Sequence, residues 1–143
     1  MNEPQVLIWL LMEMDGGVLL ARRKPESKPF AGQWTLPGDI MHSDESSAET
    51  IWRVGRELLG VDVIHESFVD TLYIKESGVE YAINVFSLAF EGNPRYRESG
   101  PFAEVRWCLP AELPKPLPEG LAVLLQQEGG RPPREARATH GDA

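Results

Sequence analysis

The stretch from Ser43 to Gly60 constrains this chain most, because it reads as one helix set among segments written in strand. Ser46 followed three residues later by Glu49 makes a capping box, and Ser43 and Asp44 supply further capping side chains ahead of it. Gly60 is the expected stop, so the helix runs from about Ser46 to Leu59. Ala48, Ile51, Gly55, Leu58 and Leu59 recur at helical spacing and form the expected buried stripe. Glu45, Glu49, Arg53 and Glu57 step by four and line another face. Gly55 falls where a core side chain is expected, and Trp52 or a neighbour is expected to fill that room.

The flanking segments read as strands and turns. Residues 5–14 are dense in Val, Ile, Leu and Trp, and Asp15-Gly16-Gly17 gives the turn chemistry that joins them to residues 18–21 as a predicted hairpin. Residues 24–33 hold two prolines and a glycine and read as a loop into the short extended piece Trp34-Thr35-Leu36, which Pro37-Gly38 ends with a turn. Residues 61–64, 68–74 and 81–90 read as strands, with Glu76-Ser77-Gly78 turning the second into the third. A polar loop over 91–102, a strand over 104–109 and a helix over 117–127 entered through Pro118 complete the pattern. This order suits an α/β fold with a mixed sheet between helices. Residues 1–128 form one expected domain, and residues 129–143, Gly, Pro, Arg and Ala without periodicity, an expected disordered tail.

Length and charge narrow the function. A chain of 143 residues with 42% hydrophobic residues suffices for one core. A formal charge of −8 argues against a generic grip on nucleic-acid backbone, which relies on Lys and Arg displacing counterions. Cys108 is the only cysteine, so no intramolecular disulfide forms, and its place in a strand suits packing rather than reactivity. The apolar run over 6–12 is far shorter than the ~20 residues that span a bilayer, and Glu3 stands where a secretory signal would be basic. A soluble cytoplasmic protein is the expectation, with neither membrane nor nucleic acid as partner.

Between Asp39 and Val61 the chain carries Glu45, Arg53, Glu57 and Gly60-Val61 at a familiar spacing. The segment resembles the Nudix box, whose pattern is Gly, five residues, Glu, seven residues, then Arg-Glu-apolar-any-Glu-Glu-any-Gly-apolar. Asp39 replaces Gly, Val54 replaces Glu, Gly55 replaces the apolar residue and Leu58 replaces Glu. Residues 19–38 resemble the family's strand, loop and Trp-x-x-Pro-Gly lead-in, and 104–107 its late strand, so the likeness covers roughly 6–113. It implies the Nudix-type α/β/α sandwich.

The resemblance implies phosphoanhydride cleavage by water, which requires neutralised phosphate charge and a nucleophile held in line. The family's divalent ion, Mg²⁺ or Mn²⁺, draws on carboxylates at the positions of Val54, Glu57 and Leu58, of which only Glu57 is a carboxylate here. Metal is therefore expected to bind weakly or not at all. On this reading Glu57 and Glu98 are the catalytic candidates, with Glu57, Glu98, Asp39 and Glu45 as metal ligands and Arg22, Arg23 and the Gly38 backbone as substrate contacts. The plainer readings stand beside these: Glu57 as an i,i+4 partner of Arg53, Glu45 as a first-turn charge, Glu98 as a solvated loop charge and Asp39 as a turn residue. Trp34 and Trp107 read as core, and His42 as solvent-facing. The functional expectation is a Nudix-type hydrolase of a nucleoside diphosphate linked to another group, weak or narrow in activity. The alternative is a catalytically silent nucleotide-binding sensor or regulator, with Val54 and Leu58 as an apolar floor in the former metal site; an interaction scaffold is a weaker third. A small-molecule nucleotide is the expected partner, and the family leaves a homodimer open.

Overall fold

The computed structural model describes residues 4–129. In chain order its elements are β1 (Gln5–Leu11), β2 (Glu13–Met14), β3 (Gly17–Arg23), β4 (Trp34–Thr35), β5 (Gly38–Ile40), α1 (Ser47–Arg53) prolonged by a π-helical turn (Val54–Leu58), β6 (Asp62–Glu76), β7 (Val79–Glu91), β8 (Phe102–Cys108) and α2 (Glu119–Gly129). One sheet has the order β5-β1-β7-β6, with β1 parallel to β7 and antiparallel to β5. The other carries β2, β3 and β4, with β8 paired to β3.

Strand β1 explains the layering. Side chains alternate across a strand, yet Leu7 to Met12 are all buried, so both faces of β1 must be covered. Leu7, Trp9 and Leu11 face Leu121, Leu124 and Leu125 of α2, whereas Ile8, Leu10 and Met12 face Ile51 and Val54 on the other side. Each such aliphatic side chain contributes roughly 1.5–3 kcal/mol on burial. The two helices therefore lie on opposite faces, and the α/β/α sandwich with a mixed sheet is the observed architecture.

Several expected boundaries differ. The predicted hairpin is reduced to β2 and β3, with Glu13 opposite Val18 and Met14 opposite Gly17. A strand apolar on both faces cannot be satisfied in a two-stranded ribbon, so β1 leaves for the other sheet. The expected turn at Pro37-Gly38 is instead the entry to β5, where the Pro37 carbonyl accepts from Leu10 N–H at 2.8 Å and Gly38 lies opposite Trp9. The two strands expected over 61–64 and 68–74 are one strand, β6, whose bulges between Val63 and His65 and between Phe68 and Asp70 absorb the polar interruption. Ser77 and Gly78, at φ 51° and 81°, make the tight turn into β7. The expected tail lies outside the described residues, except Gly129, which ends α2.

The central helix keeps its predicted start. Ser46 accepts from Glu49 N–H and Glu49 reaches back to the Ser46 N–H, completing the capping box. After Arg53 the bonding widens: Leu59 N–H donates to Val54 O at 3.1 Å, five residues back. The buried stripe shifts accordingly to Thr50, Ile51, Val54, Gly55 and Leu59, while Ala48 is exposed. Val63 of β6, not Trp52, fills the room beside Gly55, since a Cβ on Gly55 would meet Val63 Cγ2 at 2.6 Å.

Candidate functional site

Arg53 organises the face of the box. Its Nε and one Nη donate to the two Glu45 carboxylate oxygens at 2.7 and 3.0 Å, its other Nη donates to Asp39 at 2.9 Å, and it also reaches the Ile40 carbonyl at 3.0 Å. Glu45 accepts further bonds from His42 N–H at 3.0 Å and the Thr50 hydroxyl at 3.1 Å. The Arg53 guanidinium, helped by these two donors and opposed by burial, holds the Glu45 carboxyl down to about 2. Glu45, and then Asp39, push Arg53 above its ordinary value against the effect of burial. Asp39, on β5, and Glu45, ahead of α1, are thus drawn to one cation and clamp the 39–45 segment onto the helix.

Arg23 is the second buried cation, 5% exposed. It donates to the carbonyls of Gly38, Ser27 and Lys28, each at 3.3 Å, and lies 4.0 Å from Asp39. Burial lowers its pKa, with Asp39 opposing. Alternation along β3 sends Arg22 to the opposite face, where it pairs with Glu104 at 3.4 Å and lies over the Trp34 ring. The two arginines expected to act together are therefore separated by the sheet.

The remaining candidates do not converge with these. Glu57 and Glu98 are exposed, and neither side chain forms a hydrogen bond or ion pair among the described residues. The i,i+4 pairing of Glu57 with Arg53 is not made, because Arg53 is taken by Glu45 and Asp39. Val54 is fully buried in the apolar cluster of Ile8, Leu10 and Ile51, and Leu58 packs against that cluster half-buried. Val54 is thus part of the core on the α1 side rather than a surface of an open cleft. Trp34 is buried, Trp107 stacks on Phe90, and the buried Cys108 has its thiol pKa raised by that burial. His42 is exposed but lies 3.6 Å from Glu45.

A divalent ion needs several hard oxygens free to turn toward one point. Among the described residues no group of three or more His, Cys, Asp and Glu side chains is so placed. Two candidate carboxylates are spent on Arg53, and the Gly38 carbonyl accepts from Arg23. The donor set does not fit a tightly held metal. Arg53 is a hub that a plain i,i+4 pairing with Glu57 does not anticipate, and the Asp39, Glu45 and Arg53 spacing is its signal in the sequence.

A mixed-sheet α/β/α sandwich with a capped box helix clamped by Arg53 defines the Nudix class, and the NUDIX domain model matches residues 1–133. The chain belongs to that family. It is similar to the CTP pyrophosphohydrolase of Escherichia coli, 30% identical over 118 residues that cover 81% of this chain and 84% of that protein. It is also similar to a low-salt glycan biosynthesis protein of Haloferax volcanii, 40% identical over 70 residues, 49% of this chain but only 44% of that longer protein. Among solved structures, a MutT NUDIX hydrolase from Burkholderia pseudomallei superposes with a TM-score of 0.76 at 26% identity, covering 88% of this chain and 98% of that one.

Proposed function

We propose that the box face binds a nucleotide-type small molecule and that metal-assisted hydrolysis there is marginal or lost. The observation that carries this reading is the burial of Val54 inside the apolar cluster, where the family pattern has a carboxylate. Asp39 and Glu45 are committed to Arg53, so Glu57 and Glu98 are the candidate carboxylates left to meet a ligand's hydrogen-bond donors. Arg23 acts in this reading as a positioning residue, fixing the Gly38 carbonyl and the 27–28 loop.

A second reading, a narrow pyrophosphohydrolase of low turnover, is favoured by the 30% identity to a CTP pyrophosphohydrolase and by the free Glu57 carboxylate. One experiment separates the two. Calorimetric titration with nucleoside triphosphates, ADP-ribose and nucleotide sugars, in EDTA and in Mn²⁺, is run beside product analysis. The binding reading expects equal affinity in both buffers and no products. Metal-dependent turnover that disappears in Glu57→Gln overturns it in favour of the hydrolase.

A further inference from the structure

The three most exposed large apolar side chains among the described residues all lie on β6: Tyr73 at 77%, Ile64 at 59% and Phe68 at 57%. This strand ends the sheet order β5-β1-β7-β6, so β7 is its one neighbour and its outer row of backbone N–H and C=O groups has no strand to pair with among the described residues. It is fifteen residues long and contains no proline. Edges of that kind are templates for another strand, which natural proteins blunt with proline, charge or shortness.

The register with β7 gives one face of β6 a definite order. Glu66, Phe68, Thr71, Tyr73 and Lys75 lie opposite Leu88, Phe86, Asn84, Ala82 and Glu80, which follow one another at every second position of β7 and so share a face. Phe68 and Tyr73 stand an odd number of residues apart, a step that sets side chains on opposite faces; the bulge between Phe68 and Asp70 brings them to the same one. That face therefore reads acid, aromatic, threonine, aromatic, base, evenly spaced on either side of Thr71. Neither Glu66 nor Lys75 has an ion-pair partner within the described residues. A second copy turned end for end about Thr71 sets base on acid and aromatic on aromatic, each twice, which is the self-complementarity a two-fold contact requires.

We propose that β6 pairs with β6 of a second copy of this chain, antiparallel and centred on Thr71, so that one sheet runs continuously through a dimer. Lys75 then meets the partner's Glu66, and Tyr73 the partner's Phe68, in cross-strand pairs of the kind that stabilise sheets. At the axis the Thr71 N–H, which donates to the Asp70 carboxylate at 2.8 Å within the chain, is drawn instead to the other strand. No residue of the box network takes part, so the inference stands apart from the reading given for the box face.

The test is sedimentation equilibrium on the full chain over a range of concentrations. A monomer–dimer equilibrium is expected, and Lys75→Glu and Glu66→Lys should each raise its Kd about tenfold, because like charges then lie opposite at both ends. Mixed in equal amounts, these two variants should form a heterodimer tighter than either homodimer, and Glu66→Lys/Lys75→Glu in one chain should return the parent Kd. Phe68→Ser/Tyr73→Ser should leave the chain monomeric, whereas Asp70→Ala, which frees the Thr71 N–H, should tighten the dimer severalfold. Far-UV circular dichroism checks that each variant folds. A single-chain mass at every concentration overturns the proposal. A dimer whose Kd ignores the charge variants and their mixing overturns it as well, since the contact then lies on another face.

Discussion

Arg53 commits Nε and both Nη atoms to three partners at once, Glu45, Asp39 and the Ile40 carbonyl. A lysine keeps the charge but has no planar fork, so Arg53→Lys should lose the paired contact to Glu45 and cost about 1–3 kcal/mol in urea unfolding. Glu45 gives this network a pH signature. Its carboxyl is depressed in the fold to about 2 from 4.5, so its contribution is complete above about pH 4.5 and is lost as pH falls toward 2. Glu45→Gln should therefore lower stability at pH 7 and flatten the slope between those two values, read by thermal unfolding across the pH series. A slope unchanged by the substitution would mean that other carboxylates dominate acid unfolding. Gly38 belongs to the same neighbourhood for a steric reason, since a Cβ there would sit 2.0 Å from the Ile8 carbonyl. The obstacle is backbone, so Gly38→Ala must part β5 from β1 and should cost more than about 3 kcal/mol.

At the scale of elements, the box helix changes character where the family pattern fails. The α-helical turn that would bring residues 54, 57 and 58 to one point is replaced by a π-helical turn, with Val54 in the core and Glu57 on the surface. Val54→Glu would bury a carboxylate among Ile8, Leu10 and Ile51, an unpaired charge costing several kcal/mol unless it is protonated. The variant should therefore lose several degrees of Tm at pH 7 and recover part of that loss near pH 5, where the raised carboxyl pKa leaves it neutral. Leu58→Glu, at a half-buried position, should be milder. The same helix shows what sequence could reveal. Local chemistry was legible: the Ser46–Glu49 capping box, Gly60 as stop and the Ser77-Gly78 turn stand as read. The features misread depend on residues distant in sequence, such as Val63 filling the space beside Gly55 or Trp9 and Ile8 dictating that Gly38 pair rather than turn. Of the candidate site, Glu45, Arg53 and Asp39 could be picked out by spacing, but that Arg53 would draw both carboxylates together is set by how β5 lies against α1.

Across the whole molecule, the central sheet separates two apolar compartments that answer to different tasks. The box network and Val54 belong to the α1 side, whereas Leu121, Leu124 and Leu125 of α2 close the other side over Leu7, Trp9 and Leu11. A defect in the α2 compartment should then lower stability without altering what the box face binds. Leu125 is fully buried, so Leu125→Ala should cost about 2–5 kcal/mol through lost transfer energy and the cavity left behind. Nucleotide Kd, measured well below the lowered Tm, should stay within twofold of the parent. Arg53→Lys should do the opposite in proportion, costing less stability but moving the 39–45 segment that frames the box face. If both variants weaken binding in proportion to their lost stability, the sheet does not insulate the two sides, and ligand affinity reports only the folded fraction.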